Sequence, residues 1–138
     1  MAFFRFGFIC QWQGQFFYDI VKLTRKRYII MPKVKVTVID KKCFTDLQEQ
    51  YLADPHSGPC PVYQIGDEFI FGPDDIPYFR CGNGTQCAEA WDCISRYIYT
   101  GLQGGSIMRG WTNDEKMMIA CCNDGTRPVI FKIERIDD

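Results

Sequence analysis

At 138 residues, with 46% hydrophobic and 24% charged side chains, the chain has the size and composition of one globular domain that closes a core without disulfide staples. Its net charge of −1 hides an asymmetry, because eight basic residues lie between Lys22 and Lys42, whereas seven Lys/Arg stand against fifteen Asp/Glu from Cys43 onward. An acidic body of this kind disfavours nucleic acid as a partner, since phosphate-backbone binding is driven by basic side chains that displace counterions.

The N-terminal stretch "AFFRFGFICQWQGQFFYDIV" is aromatic-rich and shows no clean helix or strand period. It lacks the run of about 18 apolar residues that a transmembrane helix needs. It also lacks an apolar segment followed by a small-residue cleavage site, so it is a poor secretory signal. A cytoplasmic setting is therefore expected, where thiols stay reduced. A second methionine opens "MPKVKVTVID", directly after "LTRKRYII". The expectation is an appendage over 1–30 and a single compact domain over 31–138. The purine-rich codons of "RKR" suit a ribosome-binding site ahead of a start at Met31. The competing reading is an amphipathic arm that packs on the body or on a lipid surface.

Val34, Val36 and Val38 alternate with Lys33, Lys35 and Thr37, which predicts a half-buried strand. Phe44, Leu47, Tyr51 and Leu52 fall at helical spacing behind Thr45, a candidate cap, so a short helix is predicted over 45–52. "ADPHSGPCPV" reads as a loop, and a turn at Gly66-Asp67 precedes a short strand over Glu68–Phe71. After a second Gly/Pro loop comes the main helix, predicted over 86–103 with Thr85 as its cap. Cys87, Trp91, Ile94, Ile98 and Leu102 form its apolar stripe, and Gly104-Gly105 ends it. "MMIACC", "NDG" and "PVIFKIERI" then predict a β-hairpin with Asp124-Gly125 near its tip. The expected class is α+β: a small antiparallel sheet with a C-terminal hairpin, packed against the main helix and the short helix. The predicted core is Val34, Val36, Val38, Phe69, Trp91, Ile94, Ile98, Val129, Phe131 and Ile133.

Eight cysteines are the main chemical feature. No C-x-x-C occurs, so the strong zinc-ribbon and redox signatures are missing. Cys60 sits in the stiff "GPCP" loop. Cys87 sits at the start of the main helix, where free N–H groups and the helix dipole favour a thiolate. Cys121 and Cys122 end a strand. Together these four are the candidate metal ligands, a thiolate pocket for Zn, Fe or Cu. The competing reading is packing, because cysteine behaves as a small buried hydrophobe. Neighbouring strand residues face opposite sides, so one of Cys121 and Cys122 joins the core. A two- or four-residue loop centred on Asp124-Gly125 places Cys122 there, and a three-residue loop places Cys121 there. Packing or plain exposure is expected for Cys10, Cys43, Cys81 and Cys93. His56, the one histidine, lies four residues before Cys60 and reads as an exposed loop residue rather than the base of a Cys/His pair. Asp67-Glu68, Asp74-Asp75 and Arg127 read as turn and surface charges, although Arg127 could grip an anion. No catalytic set emerges.

The stretches "VKVTVI", "GPCPVY" followed by "GDEF", "CAEAWDCI" and "IACCNDGTRPVIFKIERI" resemble a small, uncharacterised prokaryotic family common in anaerobes. The resemblance runs from about Met31 to Ile136. It implies a domain start at Met31 and marks Cys60, Cys87, Cys121 and Cys122 as the family-like cysteines. It implies no activity, substrate or catalytic residue. The leading functional expectation is a small thiolate-pocket protein that binds a soft metal or a small cofactor. A non-catalytic homo-oligomeric interaction module is the alternative, and a thiol-based enzyme comes third.

Overall fold

The computed structural model describes residues 32–72 and 87–137, all within the expected 31–138 domain. The expectations for 1–30, Cys10, Asp74-Asp75, Cys81, and Thr85 as a cap lie outside the described residues. In chain order the elements are β1 (Lys33–Lys41), α1 (Thr45–Tyr51), β2 (Glu68–Phe71), α2 (Ala88–Leu102), β3 (Met117–Cys121) and β4 (Val129–Ile136). The strands form one antiparallel sheet in the order β2-β1-β4-β3. Helix α2 covers one face, against β1, β3 and β4. The fold is α+β, as the order of sequence patterns implies.

Strand alternation decides which residues enter the core. Val34, Val36 and Val38 of β1, Phe69 and Phe71 of β2, Met118 of β3, and Val129, Phe131 and Ile133 of β4 are all buried. Helix α2 adds Ala90, Ile94, Ile98 and Leu102, one turn apart along its axis. The buried stripe is rotated from the one predicted. Ala90 faces the sheet, while Cys87 and Trp91 flank the core and pack against its rim. Trp91 meets Phe71 there, with ring centroids 5.8 Å apart. Tyr63, from the loop before β2, fills the remaining space with edge-on contacts to Phe69 and Phe131.

Two helix starts differ from expectation. Phe44, not Thr45, is the N-cap of α1, and no side chain caps that helix. The amide of Phe44 is already used, donating to Thr126 O, which fixes the chain one residue earlier than a threonine cap requires. Cys87, expected in the first turn of α2, is instead its extended N-cap, and its side chain makes no capping bond. Its N–H donates to the Tyr63 hydroxyl at 3.0 Å, so the buried tyrosine satisfies a backbone donor at the helix start. At the other end Gly104 takes φ +75° and closes the helix.

The helix also approaches the sheet very closely. A methyl group placed on Gly101 would lie 2.6 Å from Val34 Cγ2. Gly101 is therefore needed for space, inside a helix where glycine is otherwise unfavourable.

Candidate functional site

The end of the sheet that carries β3 holds the described residues with the most to offer a partner or a reagent. Among the described residues, strand β3 pairs only with β4, so it is an edge of the described sheet. Its sequence, Met117-Met118-Ile119-Ala120-Cys121, contains no charge, proline or glycine. Proteins usually blunt such edges with lysine, proline or a bulge. Arg135 N donates to Lys116 O and Cys122 N donates to Val129 O, which fixes the phase of the ladder. Even-numbered residues of β3 therefore bond to β4, and odd-numbered ones turn their N–H and C=O outward. Met117 is occupied on that side, since its N–H donates to Asp114 O and its carbonyl accepts from Thr112 Oγ1. The outward backbone groups of Ile119 and Cys121 are left facing away from the sheet.

The sheet face opposite α2 is mixed. One cross-strand row reads Ile70, Lys35, Glu134, Met117, and the next reads Glu68, Thr37, Lys132, Ile119. Lys35 lies 3.4 Å from Glu68 and 3.6 Å from Glu134, and Lys132 lies 2.5 Å from Glu134. The Glu134 carboxylate beside it, then that of Glu68, holds the Lys35 ammonium above its ordinary pKa. Ile39, Ile70 and Ile119 stay exposed around these pairs.

The thiols divide between the two sides of this edge. The connection from β3 to β4 is longer than the tight turns considered from sequence, because Cys122 sits opposite Val129 and six residues lie between them. Six is even, so Cys122 falls on the core face, where it is buried and its Sγ accepts the Val129 N–H at 3.3 Å. Cys121 is exposed. Asp124 shapes the connection. Its Oδ1 accepts from the Thr126 N–H, the Thr126 hydroxyl and the Arg127 N–H, and its Oδ2 accepts from Arg127 Nε. Arg127, a candidate anion grip, is thus engaged within its own turn.

Sequence reasoning set Cys93 aside, yet the structure brings it to Cys121 and Cys122. Cys93 Sγ donates to Asn123 Oδ1 at 2.8 Å, and Asn123 Nδ2 donates to Asp92 at 3.0 Å. Asn123 N also donates to Glu89 O, so the end of β3 is tied to the outer side of α2. Burial pushes the Cys93 thiol up from its ordinary value. Asp92, Cys121 and Cys122 add to the rise, and Arg96 opposes it. The signal lay in the helical spacing: Glu89, Asp92, Cys93 and Arg96 share one helix side, the side that meets the strand end.

Cys60 and Cys87 are half-buried and pack against the core. Cys43 is also half-buried. His56 is exposed in its loop, and its N–H donates to Asp54. That loop is pinned by Gln48, a buried residue of α1 that donates to Gly58 O and accepts from Gly58 N, each at 3.0 Å. Among the described residues, no group of three or more His, Cys, Asp or Glu is placed to hold a metal ion. No described helix is long and apolar enough to cross a membrane. No family model, curated protein or solved structure matches the chain.

Proposed function

We propose that this chain is a non-catalytic interaction module that pairs with a second copy of itself by extending its sheet at β3. The observation that carries this is the uncharged edge, with the outward backbone groups of Ile119 and Cys121 facing away from the sheet. A twofold axis beside Ala120 sets Ile119 opposite Cys121 of the partner, and Cys121 opposite the partner's Ile119. Both are outward residues, so each pair exchanges two hydrogen bonds, and the junction holds four. The mixed face continues across the junction, with Ile119 on each side and ion-paired rows beyond it. Four backbone bonds at about 0.5–1.5 kcal/mol each, plus the apolar contact, must exceed an association cost of about 4 kcal/mol or more. A weak dimer with a Kd of about 10–100 µM corresponds to about 5.5–7 kcal/mol net, so the apolar contact must add about 4–9 kcal/mol beyond the bonds. Ile119→Lys introduces the charge that natural edges carry, and sedimentation analysis of both proteins tests the proposal. Wild-type protein that stays monomeric at several hundred micromolar refutes it.

A second reading keeps the thiolate pocket of Cys60, Cys87, Cys121 and Cys122 with Zn, Fe or Cu. The packing of Cys60 and Cys87 on the same core as Cys122 supports it. Metal analysis of anaerobically purified protein decides: about one ion per chain places this reading first. Both readings assume the reducing cytoplasm of a prokaryote, and the family resemblance carries no activity that would alter them.

A further inference from the structure

We infer that the β3 edge carries its own register lock: the chain closes both flanks of the Ile119–Cys121 window, so that a second copy pairs with it in a single register, and Thr112 is the residue that sets one flank. The inference rests on the self-pairing proposed above and names what fixes it. Odd-numbered residues of β3 present their N–H and C=O outward. Met117 is closed to a partner on both counts, because its N–H donates to Asp114 O at 3.1 Å and its C=O accepts the Thr112 hydroxyl at 2.9 Å. The segment that does this is itself held, since Asp114 Oδ1 accepts the Lys116 N–H at 2.9 Å. At the other flank Asn123, next in the outward phase, gives its N–H to Glu89 O on α2. Its side chain is tied to the same helix through Cys93 and Asp92, so the backbone has left the strand there.

The two closed residues lie three positions to either side of Ala120. A twofold axis beside Ala120 therefore sets Met117 against the partner's Asn123, and both open residues of each copy keep an open residue opposite. Strand register slips in steps of two residues if the buried face is to stay buried. A slip that moves the axis to Ile119 sets Ile119 against the partner's Ile119 and Cys121 against the partner's Met117, whose groups are taken. Only two of the four bonds survive. A slip the other way sets Cys121 against the partner's Cys121, and Ile119 then faces the partner's Asn123, which has turned to its own α2. The outer pairs are lost again. The lock thus costs nothing in the central register and penalises each neighbour of it.

Disulfide trapping of the full chain with diamide reads the register as covalent dimer on a non-reducing gel. Residues directly opposite in a hydrogen-bonded pair have Cα atoms about 5.5 Å apart, within disulfide range. Positions 119 and 121 are exposed, so substitutions there spare the core. Ile119→Cys with native Cys121 retained puts the new thiol opposite the partner's Cys121 and should cross-link. Wild type reports the slip that brings Cys121 against the partner's Cys121, and Ile119→Cys/Cys121→Ser reports the opposite slip. Each should cross-link roughly tenfold more slowly, for the loss of two bonds. Every other cysteine is common to the three proteins. Adding Thr112→Ala to the last of them reopens the Met117 C=O and should raise its cross-linking; an unchanged rate in that folded variant removes Thr112 from the lock. Equal rates in the three proteins, or no cross-link in Ile119→Cys, would overturn the single register. Sedimentation of the reduced wild type separates the two readings: a dimer with either of those results leaves self-association standing and sinks only the lock, whereas a monomer sinks both.

Discussion

Replacing Gly101 by alanine tests how closely α2 sits on the sheet. In an open helix interior the change should stabilise the protein by about 0.5–1 kcal/mol, since alanine restricts the unfolded chain and glycine is a poor helix former. Here the new methyl group meets Val34 Cγ2 at 2.6 Å, a distance that real Cβ contacts do not adopt. Val34 is fully buried in the middle of the sheet, and its β-branched side chain has one preferred rotamer, so it has nowhere to turn. Ile107 closes the other side, 3.4 Å from the same methyl position. Overpacking of this kind costs about 1–3 kcal/mol, which offsets or exceeds the propensity gain and leaves a net loss of up to about 2.5 kcal/mol. Urea unfolding measures it as a lower midpoint with an unchanged slope. The double variant Gly101→Ala/Val34→Ala should lose less than the sum of the two single changes, because the methyl group removed makes room for the one added. A Gly101→Ala protein more stable than wild type would refute the close packing of α2 on β1.

Gln48→Ala should cost about 1–3 kcal/mol in urea, because it strands the Gly58 N–H and C=O that the buried amide now satisfies, and should leave the 53–61 loop open to protease. Cys122→Ala should be milder than Cys122→Leu, which overpacks the core end of β3, and chemical denaturation of the pair would show the order. Asp124 supplies an acid limb. Burial pushes its carboxyl up, but the bonds from Thr126 and Arg127 outweigh burial and leave it below the usual 3.8. A depressed folded pKa gives stability that is present above the unfolded value and lost as pH falls through the folded one. Asp124→Ala should therefore be less stable than wild type at neutral pH and approach it in strong acid, as thermal melts across pH would report.

The sheet and its helix were legible because burial imposes a period. Val34-Val36-Val38 and Val129-Phe131-Ile133 alternate, and both triplets are buried in paired central strands. The stripe on α2 was found but turned by one residue, since a small Ala90 carries little hydrophobic signal although it sits at the point of closest packing. Tyr63 was missed for a related reason. It lies in a Gly/Pro loop with no period, and its burial follows from the space left between Phe69 and Phe131. The caps were misplaced because Phe44 and Cys87 are held by long-range bonds, to Thr126 and Tyr63, that local sequence does not encode. The thiol cluster was half legible. Cys121 and Cys122 were singled out, and a two- or four-residue loop was expected to bury Cys122. The loop length depended on the bonds to Asp124, and the partnership with Cys93 depended on how α2 lies over β3.

Self-association through β3 is the central claim, and sedimentation equilibrium of reduced full-length protein with its Ile119→Pro variant tests it most directly. The Ile119 N–H points away from β4, so proline there spares the native ladder while deleting two of the four bonds across the proposed junction. Between about 5 and 500 µM, a range that brackets the expected Kd, the wild-type mass should rise from the 16.1 kDa of one chain toward twice that value. The variant should remain at one chain across the range with an unchanged far-ultraviolet spectrum. A wild-type mass fixed at 16.1 kDa, or a folded variant that dimerises as strongly as wild type, would contradict it.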